Sequence, residues 1–130
     1  MEINRPDVLA ELGAAFARYE DALVNNRTGV LDELFWASEH TIRFGVAENL
    51  YGIDAIRAFR QSRSAVGLTR TLRNTVITTF GTDFATTMTE FQRLGGDKLG
   101  RQSQTWVRFP EIGWKVIAAH VSTVSDTPLW

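Results

Sequence analysis

The chain has 130 residues, one domain's worth, and its 44% apolar and 11% aromatic content is enough to bury a sizeable core, which excludes a disordered chain or a disulfide-held mini-protein. Fourteen basic against fifteen acidic residues give a net charge of −1, which removes the global electrostatic footprint of a nucleic-acid binder. The lack of cysteine excludes thiolate nucleophiles, zinc fingers, iron–sulfur clusters and disulfides together.

Asn4 is placed to cap a helix, with Pro6 in its first turn and Asp7 at the positive end of its dipole. Leu9, Leu12, Phe16, Tyr19 and Leu23 then recur at alternating spacings of three and four, which predicts an amphipathic helix over 7–24. A short second helix is expected over 30–36, with Leu31, Leu34 and Phe35 turned inward. Residues 40–47 alternate as a strand, with Thr41, Arg43 and Gly45 on one side, and Leu50 and Tyr51 close a hairpin. A third helix follows over 53–64. The segments 70–80, 84–94, 99–109 and 114–125 are rich in Thr, Val, Ile, Phe and Trp and are separated by glycine-, aspartate- and proline-bearing turns. The tail 127–130 is expected to be loose or docked. Helices first and hairpin-linked strands last predict an α+β fold rather than alternating βαβ units. No P-loop or dinucleotide fingerprint occurs, residues 1–7 show no basic region followed by an apolar one, and no run approaches the roughly 20 apolar residues of a membrane span, so the cytoplasm is expected.

Twelve of the fourteen basic residues are Arg. Arg offers a planar fork of donors suited to carboxylates, whereas Lys is a flexible, hydrated point charge. Between Ala55 and Thr82 stand Arg57, Arg60, Arg63, Arg70 and Arg73 with no acid. On the third helix the buried face runs through Ile56 and Phe59, and at 100° per residue Arg60 and Arg63 fall on that same side. A guanidinium there either snorkels, pairs with a core acid such as Glu90 or Glu48, or meets an anionic ligand. Tyr19, on the first helix's apolar stripe, is a core residue or a proton donor facing a cavity. Arg43 is a surface residue or a ligand group, and Gly45 beside it leaves room for something to approach.

His120 falls in alternation with Trp114, Val116 and Ala118, as a core histidine or as an acid–base group on the inner face. Gln102, Gln104 and Trp106 share one face of their strand and form either an amide ladder with an aromatic wall for a planar ligand or an oligomer interface. Two histidines without ligand spacing argue against a metal, and no cofactor is expected. Nucleic acid and membrane are likewise not expected as partners.

The strings Arg43-Phe44-Gly45, Glu48, Ile56-x-x-Phe59-Arg60-x-x-Arg63, Ile77-Thr78-Thr79-Phe80-Gly81 and Gly100-Arg101-Gln102-Ser103-Gln104-Thr105-Trp106, with the endings Gly113-Trp114-Lys115-Val116-Ile117 and Ala119-His120-Val121-Ser122, resemble the AtzH-like family. This is a family of the nuclear-transport-factor-2-like, or SnoaL-like, superfamily that includes AtzH of cyanuric acid catabolism and HpxZ of oxalurate catabolism. The resemblance spans about residues 8–125 of a single domain. It implies a cone of three N-terminal helices on a curved, mostly antiparallel sheet, a small pocket and a homodimer working beside an amidase-signature hydrolase. It also implies amide hydrolysis of a small anionic ureido substrate, such as 1,3-dicarboxyurea to allophanate. Tyr19 and Arg43 match the family's proposed catalytic pair. Around them Arg60 and Arg63 are candidate carboxylate clamps, Gln104 and Trp106 candidate pocket walls, and His120 or a Tyr19 phenolate the candidate base for water. Two other classes stay open: a non-catalytic anion-binding or scaffold partner of such a hydrolase, and an isomerase or dehydratase, for which His120 is the one base on offer.

Overall fold

The structure is a computed structural model and describes residues 1–124; the tail 127–130 lies outside the described residues. Pro6–Val24 forms α1, started by a proline whose φ is already helical. Its stripe of Leu12, Phe16, Tyr19 and Leu23 is buried as the spacing predicts. Asn4 does not cap it. The cap position falls to Arg5, while Asn4 adopts a positive φ of 56° and pairs with Thr79 in both directions, tying the N-terminus to the sheet. Thr28–Leu34 forms α2, which stops before the predicted end because Phe35 turns extended and bridges to Val116.

Ile42–Phe44 (β1) and Asn49–Tyr51 (β2) make the hairpin, and Ile53–Ser62 is α3. The helix ends two residues early. The Ser62 hydroxyl donates to the Phe59 carbonyl at 2.9 Å, where the Arg63 N–H also donates, and Arg63 leaves the helix in an extended conformation. Arg70–Phe80 (β3), Phe84–Arg93 (β4), Leu99–Phe109 (β5) and Gly113–Val124 (β6) lie within about a residue of expectation, since each turn between them carries its own breaker.

The six strands form one sheet in the order β2-β1-β6-β5-β4-β3, antiparallel except for the parallel pair β1 and β6. The helices cover its inner face, where Leu12, Phe16, Leu31, Leu34 and Ile56 pack on Ala85, Trp106 and Val116. Full burial of each large side chain contributes about 1.5–3 kcal/mol. Among the described residues no helix is long and apolar enough to cross a membrane.

Two bulges decide which side chains face inward. Between Arg73 and Val76 β3 carries one residue more than β4, with Asn74 at a positive φ of 55°, so Arg70 and Leu72 share the inner face with Ile77 and Thr79. Between Trp106 and Thr105 of β5, β6 carries Ile117 as its extra residue. Alternation therefore slips: Trp114 and Val116 point inward, then Ala119 and Val121, and His120 points outward.

Candidate functional site

Three arginines of the inner side are built alike, each with a carboxylate and an aromatic ring. Arg70, at the start of β3, donates through Nε to Glu20 of α1 at 3.1 Å and through Nη2 to the other oxygen of Glu20 and to Gln102 at 3.0 Å. Its guanidinium lies 4.5 Å from the centre of the Phe91 ring. Arg60 of α3 donates to Asp32 of α2 at 2.8 Å and lies 4.2 Å from the Phe35 ring. Arg43 of β1 donates to Glu48 at 2.9 Å and lies 5.4 Å from the Phe59 ring. The partner acid expected for the α3 arginines among Glu90 and Glu48 is thus Asp32 for Arg60; Glu90 instead accepts from Asn74.

Arg63 breaks the pattern. Its Nε and Nη2 are buried, and neither has a hydrogen-bond acceptor among the described residues. Burial pushes its pKa below the ordinary arginine range; Tyr19 opposes this, and the like charges of Arg43, Arg60 and Arg93 add to it. Arg60 is also lowered by burial, but there Tyr19 and the hydrogen-bonded Asp32 both oppose the shift. Arg63 is therefore the less compensated of these two charges. A buried donor pair left unmade costs on the order of 1–3 kcal/mol, more for a charged group.

Beside Arg63 opens a cavity of about 420 Å³. Its walls include Arg43, Glu48, Phe59, Arg63 and Phe91, and its rim carries Arg93, Asp97 and Lys98. Cations outnumber carboxylates there. Gly45 lacks the side chain that would fill this corner: a Cβ would lie 1.7 Å from Glu48 Oε1. What approaches Gly45 is thus Glu48, folded back onto Arg43.

Of the residues singled out in the sequence, Arg43 and Arg63 line this cavity together. Tyr19 and Arg60 lie in the layer beneath, where Tyr19 is 4% exposed, packs on Phe35, and electrostatically couples to both Arg60 and Arg63. Gln104 and Trp106 share the inner face as expected but are tied elsewhere. Trp106 Nε1 donates to Thr87, whose hydroxyl donates to Gln104 Oε1, so both belong to a buried core network. His120 is a correction. The Ile117 bulge puts it on the outer face, exposed, edge-on to Phe44, over a separate concavity with Met88, Arg101 and Ser103. It is no part of the Arg43–Arg63 cavity.

Sequence reasoning missed Glu20, Asp32 and Phe91, and weighed Glu48 without its partner. Glu20 gave a readable signal. It sits between Phe16 and Val24 at helical spacing, an acid flanking an apolar stripe, as Arg60 and Arg63 do on α3.

The sheet order, the three helices and the pocket between them define a protein of the nuclear-transport-factor-2-like fold. A Salmonella enterica Typhimurium member of that superfamily superposes with a TM-score of 0.74 over 95% of both chains at 21% identity. The chain belongs to the AtzH-like family, whose model matches residues 1–127. It is similar to a Pectobacterium atrosepticum protein of unknown function from the DUF3225 family, at 59% identity over 95% of both chains and a TM-score of 0.92. It is also similar to a cystatin-like fold protein of Burkholderia xenovorans, at 50% identity over 98% of this chain and 99% of that one, with a TM-score of 0.94. No curated protein matches the chain.

Proposed function

We propose that the protein binds a small carboxylated urea or ureido acid in the Arg43–Arg63 cavity and hydrolyses its C–N bond. The observation that carries this is the buried, unfilled Nε–Nη2 edge of Arg63 at a cation-rich cavity of small-molecule size. Membership of the AtzH-like family supports the substrate class and the step from 1,3-dicarboxyurea to allophanate.

In this proposal Arg63 holds a terminal carboxylate and Arg43 polarises the carbonyl through the donors that Glu48 leaves available. Water adds to the other terminal carboxyl carbon, and the C–N bond breaks with its electron pair going to nitrogen. Tyr19 gives that nitrogen a proton and is recharged by the proton that water loses, so 1,3-dicarboxyurea and water become allophanate and bicarbonate. For Tyr19 to act, the substrate must reach a side chain that is buried and does not line the cavity. His120 takes no part. The proposed working unit is a cytoplasmic homodimer beside an amidase-signature hydrolase. The outer sheet face, with Val76 58% and Met88 54% exposed side by side, is the surface that supports self-association.

Turnover of 1,3-dicarboxyurea and of oxalurate by the purified protein, with Tyr19→Phe and Arg43→Ala alongside, tests the proposal. Wild-type turnover reduced at least a hundredfold in both variants is expected. Arg63-dependent binding of these anions without turnover would move the function to the non-catalytic partner of a hydrolase.

A further inference from the structure

We propose that Glu48 makes the cavity select anions that carry an N–H group near their carboxylate, as ureido and amido acids do, over anions of the same shape without one. This rests on reading the cavity as an anion site, and it adds a specificity residue that reading does not contain.

The lining is rich in donors, because Arg43, Arg63, Arg93 and Lys98 donate and cannot accept. Its carboxylates are Asp97, exposed on the rim, and Glu48, in the wall with its side chain 22% exposed. Glu48 is held at both oxygens, Oε1 by Arg43 Nη1 at 2.9 Å and Oε2 by the Ala47 N–H at 3.2 Å. An ionised carboxylate has about four acceptor sites, so two remain for a ligand. Asp32 and Glu20, the acids that pair Arg60 and Arg70, do not line the cavity. Among the three arginine–carboxylate pairs, that of Arg43 alone presents its acid to a ligand.

Gly45 leaves room for this placement. Its φ is not in the left-handed region, so the backbone does not require glycine there. The space is taken by Glu48: a Cβ at position 45 would lie 1.7 Å from Glu48 Oε1, 2.3 Å from Glu48 Cδ and 3.0 Å from Arg43 Nη1, so the carboxylate end of Glu48 would have to move. With a ligand carboxylate on Arg63, the ligand atoms nearest Glu48 meet a fixed anion. An N–H there gains a charge-assisted hydrogen bond, whereas a second acceptor is repelled.

Hydantoate and levulinate separate the two cases, since levulinate replaces each nitrogen of hydantoate by carbon and keeps its length, carbonyl and carboxylate. Calorimetric titration of the wild-type protein is expected to favour hydantoate by about tenfold or more, the equivalent of one charged hydrogen bond. Glu48→Ala should reduce that preference to within about threefold, the residue of such a bond's loss. Gly45→Ala, which keeps the carboxylate but displaces it, should do the same, and thermal melts verify that both variants are folded. Arg63→Gln should weaken both ligands alike. Equal wild-type affinities that depend on Arg63, or a preference that survives Glu48→Ala or Gly45→Ala, overturn the role of Glu48 and leave the anion site standing. No binding of either ligand overturns both.

Discussion

Arg70 and Arg63 both lie on the inner side of the sheet, and the difference that matters is in what their guanidinium groups meet. The Nε–Nη2 edge of Arg70 is filled by both oxygens of Glu20, with Gln102 adding a further acceptor. The same edge of Arg63 is buried and has no acceptor among the described residues. The first arrangement is a finished ion pair that bolts α1 to β3, fifty residues away in sequence, and through Gln102 to β5. The second has no carboxylate among the described residues, and its residue lines a cavity. Three of these arginines have a carboxylate and the fourth has none among the described residues, which is the difference the proposed anion site rests on.

Emptying the filled fork is the harshest test. Glu20→Ala strands the Arg70 charge, whose side chain is 3% exposed, and is expected to cost about 3–5 kcal/mol in denaturant unfolding. A loss below about 1 kcal/mol, the range of exposed pairs, would mean that Arg70 is not the bolt described. Gly100→Ala comes next. A Cβ there would lie 2.2 Å from the Phe91 ring, which both stacks on Arg70 and lines the cavity. Overpacking should destabilise the fold by about 2 kcal/mol and weaken anion binding as well.

The reverse sign is expected at the empty fork. Arg63→Leu should stabilise the protein by about 1 kcal/mol while abolishing anion binding, because it removes a half-buried charge that no carboxylate among the described residues pairs. Burial lowers the folded-state pKa of this base, so its penalty is fully present at any pH below that value and lifts only as pH rises through it. Arginine stays protonated in proteins, so the gain should be constant from about pH 5 to 9, which melts across that range will check. The smallest effect is expected at His120. Exposed on the outer face, His120→Ala should leave anion affinity unchanged and shift stability by less than about 0.5 kcal/mol.

Most of the fold was legible because its signals are local. The stripe of α1 and the breakers between the four long strands depend on residues a few positions apart. The same local periodicity placed Arg60 and Arg63 inward, and that part of the site was readable. Features that depend on register were not. Asn74 and Ile117 carry no distinct mark as bulge residues, yet one keeps Arg70 inside and the other turns His120 out. Asn4 reads as a helix cap but is claimed by Thr79, seventy-five residues away. The choice among the acids within reach of each arginine is likewise three-dimensional, which is why Asp32, Glu20 and Glu48 could not be assigned in advance.

The proposed anion site depends on Arg63, whose Nε and Nη2 have no acceptor among the described residues. Thermal unfolding of the wild-type protein and of Arg63→Leu, each with and without millimolar oxalurate, tests it most directly. Ligand binding to the folded state at about 100 times its Kd adds about 2.7 kcal/mol, so a clear rise in the wild-type Tm is predicted, with none in Arg63→Leu. Equal rises in both proteins, or a rise in neither, would contradict it.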